Sequence, residues 1–104
     1  MSDQNLFELM TSDPVKYNSW SLKSKLMLVV GLVIRERNLT QKEVAATLDI
    51  SQPRVSNLLK GKMDKFSIDS LLEMLFKLGF CGDISFDPRN TDAPLEFKLR
   101  KAVL

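Results

Sequence analysis

Residues 39–62, LTQKEVAATLDISQPRVSNLLKGK, contain the start and stop signals of two short helices joined by a tight turn. Thr40 and Glu43 have the spacing of a capping box, in which the side chain of each accepts a hydrogen bond from the backbone of the other. The first helix is therefore predicted to begin after Thr40 and to end at Asp49. Its spacing places three residues on the side that faces a core: Val44, Ala45 and Leu48.

The second helix is predicted to begin after Ser51 and to close at Gly61. Pro53 fits its first turn, because the backbone N–H groups there make no hydrogen bond within the helix and proline lacks that N–H. Its inward residues are Val55, Leu58 and Leu59. Because the turn is short and the small Ala45 lets two backbones approach closely, the pair predicts helix-turn-helix geometry.

Side chains suited to nucleic-acid recognition occupy the exposed start of this second helix. Gln52 can pair with adenine N6 and N7, and Arg54 can fork onto guanine O6 and N7. Ser56 and Asn57 can reach base edges or phosphates. The alternative interpretation is a helical hairpin whose surface is merely polar.

Charge is distributed unevenly along the chain. Residues 21–62 hold eight Lys or Arg against three acidic residues, which gives +5. Residues 1–20 carry −2 and residues 63–104 carry −1. A basic middle beside an acidic first segment allows two kinds of partner, one anionic and one cationic.

Several classes of chemistry lack their usual residues. The sequence has no histidine, which removes the commonest general base and metal ligand. Cys81 is the single cysteine, so it forms neither an internal disulfide nor a Cys–His nucleophile, and a lone thiol suits the cytosol. The glycines do not have the spacing of a phosphate-binding loop. We therefore expect no metal, no cofactor and no enzymatic activity.

The remaining patterns complete an expected fold. Apolar periodicity predicts helices over Ser21–Arg37 and after Ser67, and alternation predicts a short strand over residues 83–88. The segment LEFKLRKAVL, which begins at Leu95, is either a second strand or a tail that orders only with a partner. The expected fold class is all-α, a compact helical bundle with a short C-terminal β-strand.

The same patterns suggest three parts of the chain. Residues 1–20 form an N-terminal segment that is a candidate for binding a partner, and residues 21–88 form the helix-turn-helix DNA-binding domain with a strand for dimerisation. Residues 89–104 form a C-terminal tail. No apolar run is long enough for a bilayer span, and the first residues have no basic region of the kind that opens a secretion signal.

The stretch resembles the XRE family, the lambda-repressor and Cro-like helix-turn-helix domains. The matching residues are Thr40, Gln41, Ala45, Ile50, Ser51, Gln52, Val55, Ser56, Lys60 and Gly61. The continuation KFSIDSLLEMLFKLGF resembles the HigA-like branch, the antitoxins of RelE-type toxin–antitoxin pairs. The resemblance covers about residues 20–87. It implies a bacterial, cytoplasmic, nucleoid-associated repressor that binds the major groove of double-stranded operator DNA.

The resemblance also implies roles for individual side chains. Gln41 would contact a phosphate and brace Gln52, while Pro53 would either touch a thymine methyl or only stiffen the helix start. The base-facing residues would be Gln52, Arg54 and Ser56, and the phosphate-holding ones Asn57, Lys60 and Lys62. With Ser51 at the helix start, these residues make the expected DNA-binding set. The family usually has glycine at the turn position occupied here by Asp49, which tolerates a left-handed backbone at some cost and brings a negative charge near DNA.

Two further surfaces are expected to bind protein. Operator binding calls for a two-fold homodimer, and strand pairing between two chains would place Phe80, Ile84 and Phe86 at its interface. The resemblance implies a basic RelE-type toxin as a second partner. The acidic segment is preferred over the C-terminal tail as its binding site, through Leu6, Phe7, Leu9 and Met10.

Two other functions fit the sequence. One is a phage-type or other XRE regulator without a toxin partner. The other is a protein-interaction module that uses this fold without binding DNA. The +5 segment and the pair Gln52 and Arg54 favour DNA binding over the second possibility.

Overall fold

A computed structural model describes residues 12–102. This part of the chain is mostly helical and ends in a two-stranded antiparallel sheet. In order, its elements are α1 (Pro14–Glu36), α2 (Gln41–Leu48), α3 (Gln52–Leu59), a 3-10 turn (Met63–Lys65), α4 (Ile68–Lys77), β1 (Phe80–Phe86) and β2 (Leu95–Lys101). Among these described residues, no helix has the length and apolar character needed to cross a membrane.

A single hydrophobic core lies between α1, α4 and the two short helices. Its buried side chains are Leu26, Met27, Val30, Ile34, Val44, Leu48, Val55, Leu58, Phe66, Leu71, Met74, Leu75 and Leu78. They recur at three- and four-residue spacing along each helix, so each helix presents one apolar stripe inward. The predictions of α2, α3 and α4 are confirmed, and Val44, Val55 and Leu71 are buried as expected. Leu59 is a correction, because the sequence predicts it to face the core and it is 43% exposed. It lies about 70° around the helix from the centre of the side that Val55 and Leu58 bury.

Helix α1 begins earlier than its apolar periodicity predicts. Asp13 is its N-cap, and the Asp13 carboxylate accepts hydrogen bonds from the backbone N–H groups of Val15 and Lys16. Pro14 follows at the first helical position, where proline is favoured. The expected boundary at residue 20 therefore falls inside a continuous helix, because a cap and a proline start it before its inward stripe begins.

The C-terminal sheet corrects the expectation of an all-α bundle with a single strand. β1 begins at Phe80, and β2 pairs with it antiparallel, with Phe80 opposite Lys101 and Phe86 opposite Leu95. Of the two alternatives for the segment that begins at Leu95, the second strand is the one observed. The turn ends with the backbone N–H of Asp87 donating to the Pro94 carbonyl at 2.8 Å.

Candidate nucleic-acid interface

Helix α2 starts at the capping box that its sequence predicts. The backbone N–H of Glu43 donates to Thr40 Oγ1 at 3.1 Å, and the backbone N–H of Thr40 donates to Glu43 Oε1 at 3.0 Å. Hydrogen bonding to the Glu43 carboxylate, first from the Thr40 backbone N–H and second from the Thr40 side chain, favours the charged form and lowers the pKa of Glu43. Gln41 lies exposed at the first turn of this helix.

The turn between α2 and α3 is set by Asp49 in the left-handed conformation, with φ 54° and ψ 50°. The backbone N–H of Asp49 bonds to the carbonyl of Ala45 and closes α2. The Lys77 ammonium donates to the Leu48 carbonyl at 3.0 Å, which ties this helix end to α4. The turn is therefore fixed both locally and against the core.

Helix α3 is held by its apolar side and leaves its polar side outside. Ser51 caps it by accepting a hydrogen bond from the backbone N–H of Arg54 at 3.3 Å, and Val55 and Leu58 are buried. At 3.6 residues per turn, Pro53 and Lys60 point most directly away from that buried side.

Three more of the predicted contact residues surround that outward direction. Ser56 and Asn57 lie on either side of it and are half-buried, while Gln52 is exposed on one flank. In the described part of the chain, no hydrogen bond joins Gln41 to Gln52, so the expected brace between them is not present in this structure.

Arg54 occupies the other flank of α3 and has partners within the protein. Its guanidinium carbon lies 4.4 Å from the ring centroid of Phe66, a cation–π arrangement, and its Nη1 donates to the Lys65 carbonyl at 3.1 Å. Phe66 is buried in the core. Arg54 therefore connects α3 to the segment that follows it, a role that sequence spacing alone does not reveal.

That following segment brings three exposed cations to the end of α3. Lys60, Lys62 and Lys65 are exposed, and the chain reverses through Gly61, whose φ is +71°. The backbone N–H of Lys62 donates to the Asn57 carbonyl at 3.1 Å, which holds the reversal against the helix. We define Lys60, Lys62 and Lys65 as the basic loop. Sequence reasoning included the first two and missed Lys65, although its place after the helix-closing glycine was a usable signal.

The other predicted residues are distributed as follows. Phe80 is half-buried, and Ile84 and Phe86 are exposed on β1. The proposed toxin-binding residues Leu6, Phe7, Leu9 and Met10 lie outside the described residues. Within residues 12–102, no group of His, Cys, Asp or Glu side chains has the geometry of a metal site.

Two capped helices, a left-handed turn between them, and an outward polar face beside a basic loop define a DNA-binding helix-turn-helix protein. The family model described as a helix-turn-helix domain matches residues 8–86, and the chain belongs to that family. Domains of this class are typically binding modules without enzymatic activity. No curated protein sequence matches the chain. The matched region ends with β1, so β2 lies beyond it.

Proposed function

We propose that the protein is a sequence-specific transcriptional repressor in the bacterial cytoplasm that inserts α3 into the major groove of operator DNA. The observation that carries this proposal is the outward face of α3, which has no role in the core and adjoins the basic loop. A helix of this diameter fits the major groove, where each base pair presents a distinct pattern of donors and acceptors. The +5 charge of residues 21–62 supports attraction to the phosphate backbone.

The side chains divide into two proposed roles. Gln52 and Ser56 address base edges, and Asn57 reaches either a base edge or a phosphate. Gln41, Lys60 and Lys62 hold phosphates, with Ser51 and Pro53 fixing the start of the helix. For Arg54 to read guanine, as its residue type suggests, its guanidinium would have to leave Phe66 and the Lys65 carbonyl.

The experiment is a salt-dependent binding measurement. An operator is first selected from random DNA, and affinity is then measured for the operator and a scrambled duplex at several salt concentrations. Lys62→Ala should weaken binding to both and reduce the slope of log affinity against log salt by about one unit. The matched control is Lys98→Ala on β2, where Lys98 is exposed and pairs with Glu96. An unchanged slope for Lys62→Ala, or no DNA binding at all, contradicts the proposal, and the second result favours a protein-interaction module.

We further propose that the repressor acts as a two-fold homodimer on a roughly palindromic operator. Two recognition helices then reach half-sites about one helical turn apart, roughly 34–36 Å. The proposed interface lies on β1 and includes Phe80, Ile84 and Phe86. The exposure of Ile84 and Phe86 supports this assignment, because large apolar side chains on a strand are seldom left in water without a partner.

The resemblance to HigA-like antitoxins supports a more specific role, that of an antitoxin which represses its own operon and neutralises a basic RelE-type toxin. Residues 1–20 carry −2 and include Leu6, Phe7, Leu9 and Met10, which suits an amphipathic segment bound to a basic partner.

A truncation tests this role. Deleting residues 2–11 preserves Asp13, the cap of α1. This truncation should retain operator binding and lose protection when the toxin is co-expressed. Continued protection would move the toxin site elsewhere, and the absence of any such toxin would favour a regulator that acts alone.

A further inference from the structure

The hairpin of β1 and β2 has one apolar face and one polar face. Residues paired directly across an antiparallel sheet project to the same side, and side chains alternate along each strand. The register therefore places on one side Phe80, Gly82, Ile84 and Phe86 with Leu95, Phe97, Leu99 and Lys101. We call this side the apolar face. On the other side lie Cys81, Asp83, Ser85, Glu96, Lys98 and Arg100, including the ion pair of Asp83 and Arg100.

Among residues 12–102, contacts with the core cover only the base of the apolar face. Phe80 and Leu99 pack against the core, and the Arg37 guanidinium lies 5.7 Å from the Phe80 ring centroid. The same guanidinium donates to the Leu78 carbonyl at 2.6 Å, which fixes the end of α1 to the start of the hairpin. The apolar face thus begins as a continuation of the core and extends past it.

Beyond that base, the apolar face lies in solvent. Ile84 is 73% exposed, Phe86 67%, Leu95 64% and Phe97 46%. A two-stranded hairpin is only marginally stable by itself in water, so an uncovered face of this kind is a site for association.

Gly82 and Phe97 show how the two strands form one surface. A Cβ at Gly82 would lie 2.7 Å from Phe97 Cε2, so the Phe97 ring extends across the glycine backbone. An aromatic ring over a cross-strand glycine fills the gap that the missing side chain leaves. Consequently β2 supplies half of the apolar face, although it lies outside the family match.

We infer that the occupant of this face is the same face of a second copy of the chain. The inference rests on the proposed function, because a two-fold operator-binding dimer needs one self-complementary patch on each chain. Apart from Lys101 at its base, the apolar face has no charged residue, so two copies meet without charge repulsion. Pairing between the free edges of two β1 strands would leave both apolar faces in water, whereas stacking the faces covers them.

The available area is consistent with a dimer. Aromatic side chains bury roughly 150–250 Å² each, and Ile and Leu somewhat less. The exposed fractions of Ile84, Phe86, Leu95 and Phe97 therefore amount to on the order of 450 Å² per chain and about 900 Å² for two chains. A specific interface should exceed about 1,000 Å² in total. The half-buried Phe80 and Leu99 add exposed apolar area at the base of the face.

The test compares two adjacent substitutions on β2. Phe97→Asp puts a carboxylate on the apolar face, and Lys98→Asp puts the same group one residue away on the polar face. By sedimentation, the wild type and Lys98→Asp should be dimers. Phe97→Asp should raise the dimer dissociation constant by at least about 30-fold, as expected when an anchor residue is lost.

Leu95→Ala is a milder second variant at the hairpin tip, and it should weaken the dimer while amide-exchange protection of β1 and β2 in the monomer is retained.

Three results would overturn the inference. The first is a Phe97→Asp protein that stays dimeric at the concentrations at which the wild type is dimeric. The second is equal dissociation by Lys98→Asp, and the third is a Leu95→Ala protein that dimerises as tightly as the wild type. Binding of Phe97→Asp to a single half-site tests the proposed DNA-binding function independently of this inference. Retained salt-dependent half-site binding leaves the DNA proposal standing, whatever the sedimentation result.

Discussion

The helix-turn-helix unit and the C-terminal hairpin distribute their apolar residues in opposite ways. In the helix-turn-helix unit, Leu48 and Val55 are fully buried and the outward face is polar. In the hairpin, the apolar side is the one left in water, as Ile84 and Phe97 show. The first region thus buries its apolar residues within a single chain, whereas among residues 12–102 nothing covers the outer part of the hairpin's apolar side. This difference supports the proposal that the hairpin serves assembly.

The largest expected effect tests this difference directly. Leu48→Ala should lower the free energy of unfolding by about 2–5 kcal/mol, because it leaves a cavity in a fully packed site. Ile84→Ala removes a side chain of equal size from a solvated site and should cost the monomer less than about 0.5 kcal/mol. Urea denaturation at a concentration where the chain is monomeric measures both.

Protein concentration provides the control for that pair. At concentrations that favour the dimer, the cost of Ile84→Ala should rise, because its side chain is then buried between chains, while the cost of Leu48→Ala should stay constant. Equal costs for the two variants in the monomer would show that the hairpin is as much a part of the single-chain core as α2.

The sequence predicts the features that are decided by neighbouring residues. The capping box of Thr40 and Glu43, the cap at Ser51 and the left-handed Asp49 are all confirmed, because each depends on contacts within a few residues. Apolar periodicity predicts the start of α1 too late, because the N-cap Asp13 and Pro14 begin the helix before its inward stripe does.

Features that depend on distant residues could not be derived in the same way. The sequence of β2 alternates as a strand does, but whether it pairs depends on the position of β1 in the fold. Its sequence is therefore compatible both with a second strand and with a tail that orders only with a partner. Arg54 has the residue type and position of a base reader. Its stacking on Phe66 follows only from where the loop after α3 returns to the core. Residue type therefore predicts a candidate surface, and the contacts that its side chains make within the protein become visible only in the fold.

The second prediction concerns that arginine. Arg54→Ala removes both the cation–π contact and the hydrogen bond to the Lys65 carbonyl, so the basic loop loses one of its attachments to α3. We expect affinity for operator and scrambled DNA to fall alike, by about 1 kcal/mol or roughly fivefold, and the salt slope to decrease as phosphate contacts are lost. Binding titrations of both duplexes at several salt concentrations measure these quantities.

Phe66→Leu is the companion to Arg54→Ala, because it keeps an apolar side chain in the core and removes the ring. It should reproduce the decrease in salt slope while the protein remains folded. If Arg54 instead contacts a base in the complex, the two variants should give a different pattern of results. In that case Arg54→Ala would cost about 1–3 kcal/mol on the operator only, relax preference at one base pair per half-site and leave the salt slope unchanged.

The smallest expected effect concerns Asp49, at the turn between α2 and α3. Its φ of 54° is a conformation that glycine adopts freely and that costs other residues about 1–2 kcal/mol, less for Asp and Asn. Asp49→Gly relieves that cost but gives the unfolded chain more freedom, so the net gain in unfolding free energy should be about 0.5 kcal/mol.

Asp49→Asn is the matched control, because it keeps the tolerance for this backbone and removes only the charge. Both variants should bind DNA slightly more tightly at low salt, since each removes a negative charge beside the phosphates, whereas only Asp49→Gly should be more stable to urea. If Asp49→Asn is stabilised as much as Asp49→Gly, the cost at this turn comes from the charge and not from the backbone.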